Sequence, residues 1–458
     1  MAAQRTQTGA ILDAPLLSAA AIAVQGVLHG AEGTFTGASM DSRYVAANEL
    51  FVALPGTRVD GHDFLSVARE RGAAAALVER KIADPLPQIV VADARLALGQ
   101  LAAWWRAHYT CHVIGLTGSN GKTTVKELLA AILERCGATL ATQGNLNNDI
   151  GLPLTLLRLR SSHRYAVIEM GANHPGEIEY LTRITQPEVA LINNAGPAHL
   201  EGFGSVEGVA RAKGEIFSGL GAKGIAVINA DDAYASIWEK IVAARRIVRF
   251  GLTAGAEVSA QWEGDAFGSR LHLRTPAGSA HSTLHLPGQH NVLNALAAAA
   301  AAFAVNVKLQ DIALGLESAR GAPGRMQIKA GRNDARIIDD TYNANPASVQ
   351  AALDVLASCR GRRVLVLGDL AELGDDKVAL HRNIGAAASA AGIDALYTVG
   401  TLSAHATNAF QGEHRHFATQ EELMANLIPL LALGVTVLVK GSRSAHMERV
   451  VGALTEGP

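Results

Sequence analysis

Short apolar runs alternate with helix-length amphipathic stretches along most of the chain, and this alternation predicts its elements. From His112 onward, residues 112–116, 165–169, 189–193 and 225–228 read as strands and residues 123–136 as a helix, the pattern of a parallel sheet covered by helices. Residues 252–282 instead alternate apolar with polar positions, as in Leu271-His272-Leu273-Arg274, and predict an inserted antiparallel hairpin, with helix 291–305 after it. Gly321-Ala322-Pro323-Gly324 packs two glycines and a proline into four residues and marks a linker. Beyond it the alternation resumes. Strands at 336–339, 364–367, 395–399 and 436–439, with helices at 346–357, 378–391 and 445–454, predict a second, smaller doubly wound sheet. Ahead of all this, short strands at 50–54, 75–78 and 89–91 form a small mixed domain, and helix 94–108 leads out of it after Pro85-Leu86-Pro87.

The fold expected is therefore α/β in three domains: a small mixed one over 1–110, a central phosphate-loop-type parallel sheet over 111–320 and a Rossmann-like one over 321–458. Length agrees, because 458 residues exceed the ~250–300 at which a single core stops growing. With 49% hydrophobic and 18% charged residues the chain has material for several cores. A net charge of -2 gives no global basic field, which argues against nucleic acid and anionic lipid as partners. Residues 15–24 are apolar but follow Asp13 and a leader with one Arg, so they read as an amphipathic helix, not a signal sequence. Residues 295–305 fall short of the ~18 apolar residues of a membrane span. Three scattered cysteines without a C-x-x-C pair suit a reducing compartment. A cytoplasmic monomer acting on small molecules is the expectation.

The sharpest chemical signal is Thr117-Gly118-Ser119-Asn120-Gly121-Lys122-Thr123-Thr124, a Gly-rich loop between an apolar strand and a helix. Backbone N–H groups and the helix N-terminus can receive phosphate oxygens, Lys122 can reach the β- and γ-phosphates, and the Thr123 hydroxyl can ligate Mg²⁺. Leu116 replaces the first glycine of the strict P-loop pattern. A bare Gly-rich turn with a solvated lysine is the weaker reading. Glu169 ends a strand whose C-terminus faces the same crevice and can hold Mg²⁺, or else it is a helix-capping acid. His199 follows the next strand, although a lone loop histidine is more often solvated. Lys213 is by default an exposed helix lysine. The polar residues at 339–345 are by default turn chemistry.

Motifs spread along the chain then identify a relationship. Asp41-Ser42-Arg43, Leu50-Phe51-Val52-Ala53-Leu54-Pro55-Gly56-Thr57-Arg58, Asp60-Gly61-His62-Asp63-Phe64, the phosphate loop, Gly144-Asn145-Leu146-Asn147-Asn148-Asp149-Ile150-Gly151 and Glu169-Met170-Gly171-Ala172-Asn173-His174 are joined by Ala198-His199-Leu200-Glu201-Gly202, Pro323-Gly324-Arg325, Gly368-Asp369-Leu370-Ala371-Glu372-Leu373-Gly374 and Leu438-Val439-Lys440-Gly441-Ser442-Arg443-Ser444. Together they resemble the Mur ligase family, in the branch that adds D-alanyl-D-alanine to UDP-MurNAc-tripeptide.

The resemblance implies ATP-dependent amide formation through an acyl phosphate. It implies that Lys122, Glu169, His199 and Lys213 are catalytic and that Thr123, Glu169, His199 and a CO₂-derived carbamate on Lys213 hold Mg²⁺, two ions in all. A carbamate is an anionic oxygen ligand suited to that hard cation, whereas an ammonium would be repelled. It further implies that Asn291 reaches adenine, Arg325 the phosphates and Asp340 the ribose or hinge. Ser42 and Arg43 are expected at the uridine diphosphate end, and Asn145, Asn147 and Asn148 along the muramoyl-peptide channel. Asn343, Asn345, Lys440, Ser442 and Arg443 are the candidates for the dipeptide carboxylate. A sibling ligase adding a different amino acid usually carries Asp-Asn-Pro-Arg, which this sequence lacks. A folylpolyglutamate-synthase-like ligase would lack the uridine-binding motifs. A nucleotide switch would need neither Glu169 nor Lys213.

Overall fold

The computed structural model describes residues 13–56, 59–197 and 200–455, and its secondary structure falls into three α/β regions and an inserted meander. Strands Leu50–Val52 and Ala75–Val78 are buried along their whole length, as apolar runs sandwiched in a mainly parallel sheet must be. They sit in a five-stranded N-terminal sheet ordered Val27–His29, Gln88–Val90, Ala75–Val78, Leu50–Val52, Ala38–Ser39, antiparallel only at the Val27–His29 edge. Helix Leu17–Ala23 buries Leu17, Ala20 and Ala21 and exposes Ile22, the amphipathic pattern expected.

The six-stranded central sheet is ordered Arg246–Phe250, Ile225–Asn229, Val189–Ile192, His112–Thr117, Tyr165–Glu169, Thr139–Ala141. His112–Thr117 and Tyr165–Glu169 run parallel with Leu116 opposite Glu169, so Thr117 and Glu169 lie at the C-terminal ends of adjacent strands. The predicted hairpin is a three-stranded antiparallel meander instead: Ser259–Asp265, Gly268–Thr275 and Gly278–Leu284. Two turns lie inside the polar segment. Asp265 accepts the Phe267 N–H at 2.8 Å in the first, and Thr275 Oγ1 accepts the Ala277 N–H at 3.1 Å in the second, where Gly278 takes φ +124.

In the C-terminal region the order is Gln327–Ala330, Arg336–Asp340, Val435–Lys440, Arg362–Gly368, Ala395–Val399, Glu413–Phe417, parallel except for the first strand. Alternate residues feed two cores: Ile338, Leu365, Leu367 and Leu438 on one face, Ile337, Val364, Val366 and Val437 on the other. The helix predicted at 445–454 is broken, with a 3₁₀ turn Arg443–Ala445, His446 at φ +48, and then helix Glu448–Leu454.

Compactness divides the chain into two units: Met1–Thr117 with Gly137–Leu191 and Glu215–Ala226, and Gly118–Cys136 with Ile192–Gly214 and Val227–Pro458. In the first, helix Ala94–Arg106, capped by Asp93, packs on helices Gly151–Leu156 and Glu177–Thr185, and the Trp105 indole N–H donates to Leu159 O at 3.2 Å. The expected connector is thus part of a core. In the second, the sixteen-residue, Ala-rich helix Gln289–Ala304 is almost wholly buried and packs on helix Lys122–Glu134. Among the described residues no helix is long and apolar enough to cross a membrane.

Candidate active site

Thr117 closes its strand with its hydroxyl donating to Met170 O at 2.8 Å. After it the loop turns into helix Lys122–Glu134 through Gly121 at φ +77, where a Cβ would lie 2.6 Å from Asn193 Nδ2 and closer still to Asn294 Oδ1. Only glycine fits. The loop's first amides are already engaged: Ser119 N–H donates to Asn194 O (3.0 Å) and Asn120 N–H to Asn194 Oδ1 (2.9 Å). The donors left open to an anion are those of the helix's first turn, whose N–H groups have no intrahelical acceptor. Lys122 Nζ arches over the loop to the carbonyls of Gly118 (2.8 Å) and Ser119 (3.3 Å), so the ammonium is held at the loop mouth. Thr123 and Thr124 are buried at the helix start.

An asparagine network fixes this frame. Asn193 Nδ2 donates to Asn120 O (2.9 Å) and to Asn294 Oδ1 (2.8 Å), Asn294 Nδ2 donates to Asn291 Oδ1 (3.1 Å), and Asn291 Nδ2 donates to Pro287 O (2.8 Å). Asn291 is buried and bonded within this network. Asn193 and Asn194 were not among the sequence candidates. The available signal was an Asn pair directly after a strand that ends at the loop's level.

Glu169 is 2% exposed and its carboxylate is half satisfied. Oε1 accepts from Asn147 Nδ2 at 2.8 Å, while Oε2 is buried with no hydrogen-bond partner among the described residues. An unpaired buried carboxylate oxygen is costly unless a cation or donor meets it, so the donor set fits a hard metal ion. Asn147 is clamped in place, because Gly171 N–H donates to its carbonyl at 2.9 Å and a Cβ at Gly171 would sit 2.9 Å from its Oδ1. Asn148 caps helix Gly151–Leu156, accepting from Gly151 N–H at 2.8 Å, and Asn145 is exposed.

Lys213, read from sequence as exposed by default, is 2% exposed on helix Val206–Gly214, with Nζ 5.6 Å from the Phe203 ring centre. His199 lies outside the described residues. Among those described, no group of three or more His, Cys, Asp or Glu gathers as a metal cluster.

The C-terminal candidates separate into engaged and available groups. Lys440, 1% exposed, pairs with Asp340 and donates to Asn343 O at 3.0 Å, while the other Asp340 oxygen accepts Met326 N–H at 3.1 Å. Ser442 Oγ donates to Asp369 O at 2.7 Å. Asn343 accepts the Ala344 N–H (2.9 Å), and Asn345 caps helix Pro346–Ser358 while donating from Nδ2 to Asn120 Oδ1 at 2.8 Å. Arg443 is 63% exposed, its guanidinium 5.9 Å from the Tyr342 ring and 3.6 Å from Glu448. The Arg325 guanidinium lies 4.2 Å from the same ring's centre, with Nε buried and without a hydrogen-bond partner among the described residues. Burial keeps the neighbouring His290 imidazole below its ordinary pKa, hence neutral, beside Asp340 and Lys440.

In the N-terminal region Ser42 is buried, whereas Arg43 is 75% exposed and forks onto Asp41 with bonds of 2.9 and 2.7 Å. Asp60 accepts the His62 N–H (3.0 Å) and Arg80 (2.8 Å) and meets the His62 ring at 2.6 Å. These bonds, the backbone one first, hold its carboxyl far below the usual range.

Comparison with known proteins gives a consistent result. Family models described as the Mur ligase family catalytic domain, the Mur ligase middle domain and the Mur ligase glutamate ligase domain match residues 34–106, 116–302 and 324–443. The UDP-N-acetylmuramoyl-tripeptide–D-alanyl-D-alanine ligase of Escherichia coli is 49% identical over 94% of this chain and 96% of its own. A crystal structure of MurF from Acinetobacter baumannii superposes with a TM-score of 0.90 at 40% identity, covering 97% of this chain and 99% of that one. The MurF ligase of Thermotoga maritima in complex with ADP superposes at 0.81 with 28% identity, covering 91% and 96%. On the phosphate loop, the buried carboxylate beyond it and these matches, the chain belongs to the Mur ligase family.

Proposed function

We infer that the chain is an ATP-dependent amide-bond-forming ligase that joins D-alanyl-D-alanine to UDP-N-acetylmuramoyl-tripeptide, giving UDP-MurNAc-pentapeptide, ADP and phosphate in peptidoglycan precursor synthesis. The observation that carries it is Glu169, a carboxylate buried at the end of its strand with one oxygen left without a hydrogen-bond partner among the described residues. A loop that only bound nucleotide would not need it.

In this reading the first-turn N–H groups of helix Lys122–Glu134 and the Lys122 ammonium hold the β- and γ-phosphates. The tripeptide carboxylate attacks the γ-phosphorus, and the acyl phosphate so formed has the leaving group that a free carboxylate lacks. The dipeptide amine then displaces phosphate. Thr123, Glu169, His199 and a carbamylated Lys213 are the residues assigned to Mg²⁺, which when bound would offset charge on the transferring phosphoryl. The orphaned Glu169 oxygen and the burial of Lys213 support that assignment. Asn147 is better placed as the partner of Glu169 than as a lining of the peptide channel. Arg443 is the favoured ligand for the dipeptide carboxylate, because Lys440 and Ser442 are engaged internally. The enzyme is taken to work as a cytoplasmic monomer.

Incubation with ATP, Mg²⁺ and UDP-MurNAc-tripeptide, with each candidate amine supplied in turn, tests the reading. Phosphate release should require D-alanyl-D-alanine. Release at the same rate without it, or with another amine in its place, overturns it.

A further inference from the structure

Asn120 has its backbone immobilised on both sides. Its N–H donates to Asn194 Oδ1 at 2.9 Å, and its carbonyl accepts from Asn193 Nδ2 at 2.9 Å and Asn194 Nδ2 at 3.1 Å. Only its side chain leaves this frame, and its Oδ1 accepts from Asn345 Nδ2 at 2.8 Å. Asn345 is fixed from the other direction as the N-cap of the thirteen-residue helix Pro346–Ser358. Its Oδ1 accepts Ser348 N–H at 2.8 Å, and its own N–H donates to Ser348 Oγ at 3.0 Å. A rigid loop amide thus meets a rigid helix cap from 225 residues further along the chain. A casual contact between two mobile side chains would lock neither partner.

We propose that the Asn120–Asn345 hydrogen bond seats the C-terminal α/β region in register on the phosphate loop, so that the acceptor amine is aligned with the acyl phosphate. Both asparagines are positioning residues for the second half-reaction. The inference rests on the ligase reading above. In that half-reaction the amine lone pair forms the C–N bond, the bond from the acyl carbon to the phosphate oxygen breaks, phosphate leaves with the electron pair, and the amine proton passes to water. Attack of this kind depends on sub-ångström alignment of two groups carried by different parts of the fold. Formation of the acyl phosphate depends on groups at the loop itself, and is far less sensitive to the register of helix Pro346–Ser358.

Three variants separate this role from plain helix capping. Asn345→Ser keeps an equally good cap but is too short to reach Asn120, Asn345→Ala loses both, and Asn120→Ala loses only the bridging acceptor. Two rates are read for each: positional isotope exchange in ATP with the tripeptide substrate but no dipeptide, and pentapeptide formation with dipeptide present. The ratio of ligation to exchange should fall about tenfold in all three, the scale of one lost hydrogen bond, and the double variant Asn120→Ala/Asn345→Ser should be no worse than either single. Wild-type behaviour of Asn345→Ser beside a defective Asn345→Ala would reduce Asn345 to a helix cap and overturn the proposal, as would multiplicative losses in the double variant. If the wild-type enzyme itself fails to ligate D-alanyl-D-alanine, the ligase reading falls first, and the two failures are told apart.

Discussion

Two aspartate–cation pairs sit at opposite ends of the chain and do different things. Asp41–Arg43 in the N-terminal region is a two-pronged pair between neighbours in sequence, with Arg43 75% exposed. Asp340–Lys440 in the C-terminal region joins residues 100 apart, with Lys440 1% exposed and a further bond to the Asn343 carbonyl. By sequence Arg43 is expected at the uridine diphosphate end and Lys440 is one of five candidates for the dipeptide carboxylate. The difference in burial sets them apart. An exposed pair contributes little to stability and is readily exchanged for a ligand. Breaking a buried one strands a charge at a cost of ~3–5 kcal/mol. Arg43 and Arg443 can therefore be recruited by substrate, whereas Lys440 holds the end of its strand to the end of Arg336–Asp340.

Substitutions test that contrast, and the largest effect is expected at another deeply buried lysine, Lys213. Lys213→Ala should abolish turnover, and added short carboxylates should restore part of it; wild-type rates in the variant would remove the carbamate from the mechanism. Lys440→Ala should cost ~3–5 kcal/mol in urea unfolding by leaving Asp340 buried and unpaired. A variant of unchanged stability but raised KM for the dipeptide would instead make Lys440 a ligand. Arg443→Ala should raise the dipeptide KM about tenfold while stability stays within ~0.5 kcal/mol, because the side chain is exposed and a charge-assisted bond is what is lost. Arg43→Ala should raise KM for the uridine nucleotide a few-fold, with the dipeptide KM unmoved.

The smallest effect is a pH dependence. Asp60 is depressed by the His62 N–H, Arg80 and the His62 ring, so its contribution to stability is present at neutral pH and is lost as pH falls through its folded value. The melting temperature of Asp60→Asn should therefore sit slightly below wild type at neutral pH, and the gap should close only in strong acid. A gap that closes near the ordinary carboxylate range would show that Asp60 is not held down by these bonds.

Local chemistry made much of this legible. Strands Ala75–Val78, Tyr165–Glu169 and Ala395–Val399 match the predicted runs residue for residue, because short, mainly apolar runs bounded by turn residues fit a buried strand of a parallel sheet. The strands that escaped prediction are at sheet edges. Glu413–Phe417 exposes Glu413, His414, Arg415 and His416 and is paired on one side only, so neither period nor hydrophobicity marks it. The meander was compressed to a hairpin because its two turns hid in one polar segment. Among the site residues, the loop falls between strand and helix as the pattern predicts, while Lys213 reads as an exposed helix lysine by default although it shares a helix face with Ala210 and Val209, three and four residues back, and the fold buries all three.

What the sequence determined by itself was the alternation of strands and helices, the phosphate loop and the family motifs, since each depends on residues close together in the chain. Tertiary structure alone decided which polar side chains are spent on the protein and which remain for substrate. Glu169 gives one oxygen to Asn147 and has no partner for the other among the described residues, Lys440 is consumed by Asp340, and Asn345 is drawn to Asn120. Such pairings join residues separated by up to 225 positions, so they are set by sheet order and helix packing and leave no trace in local pattern.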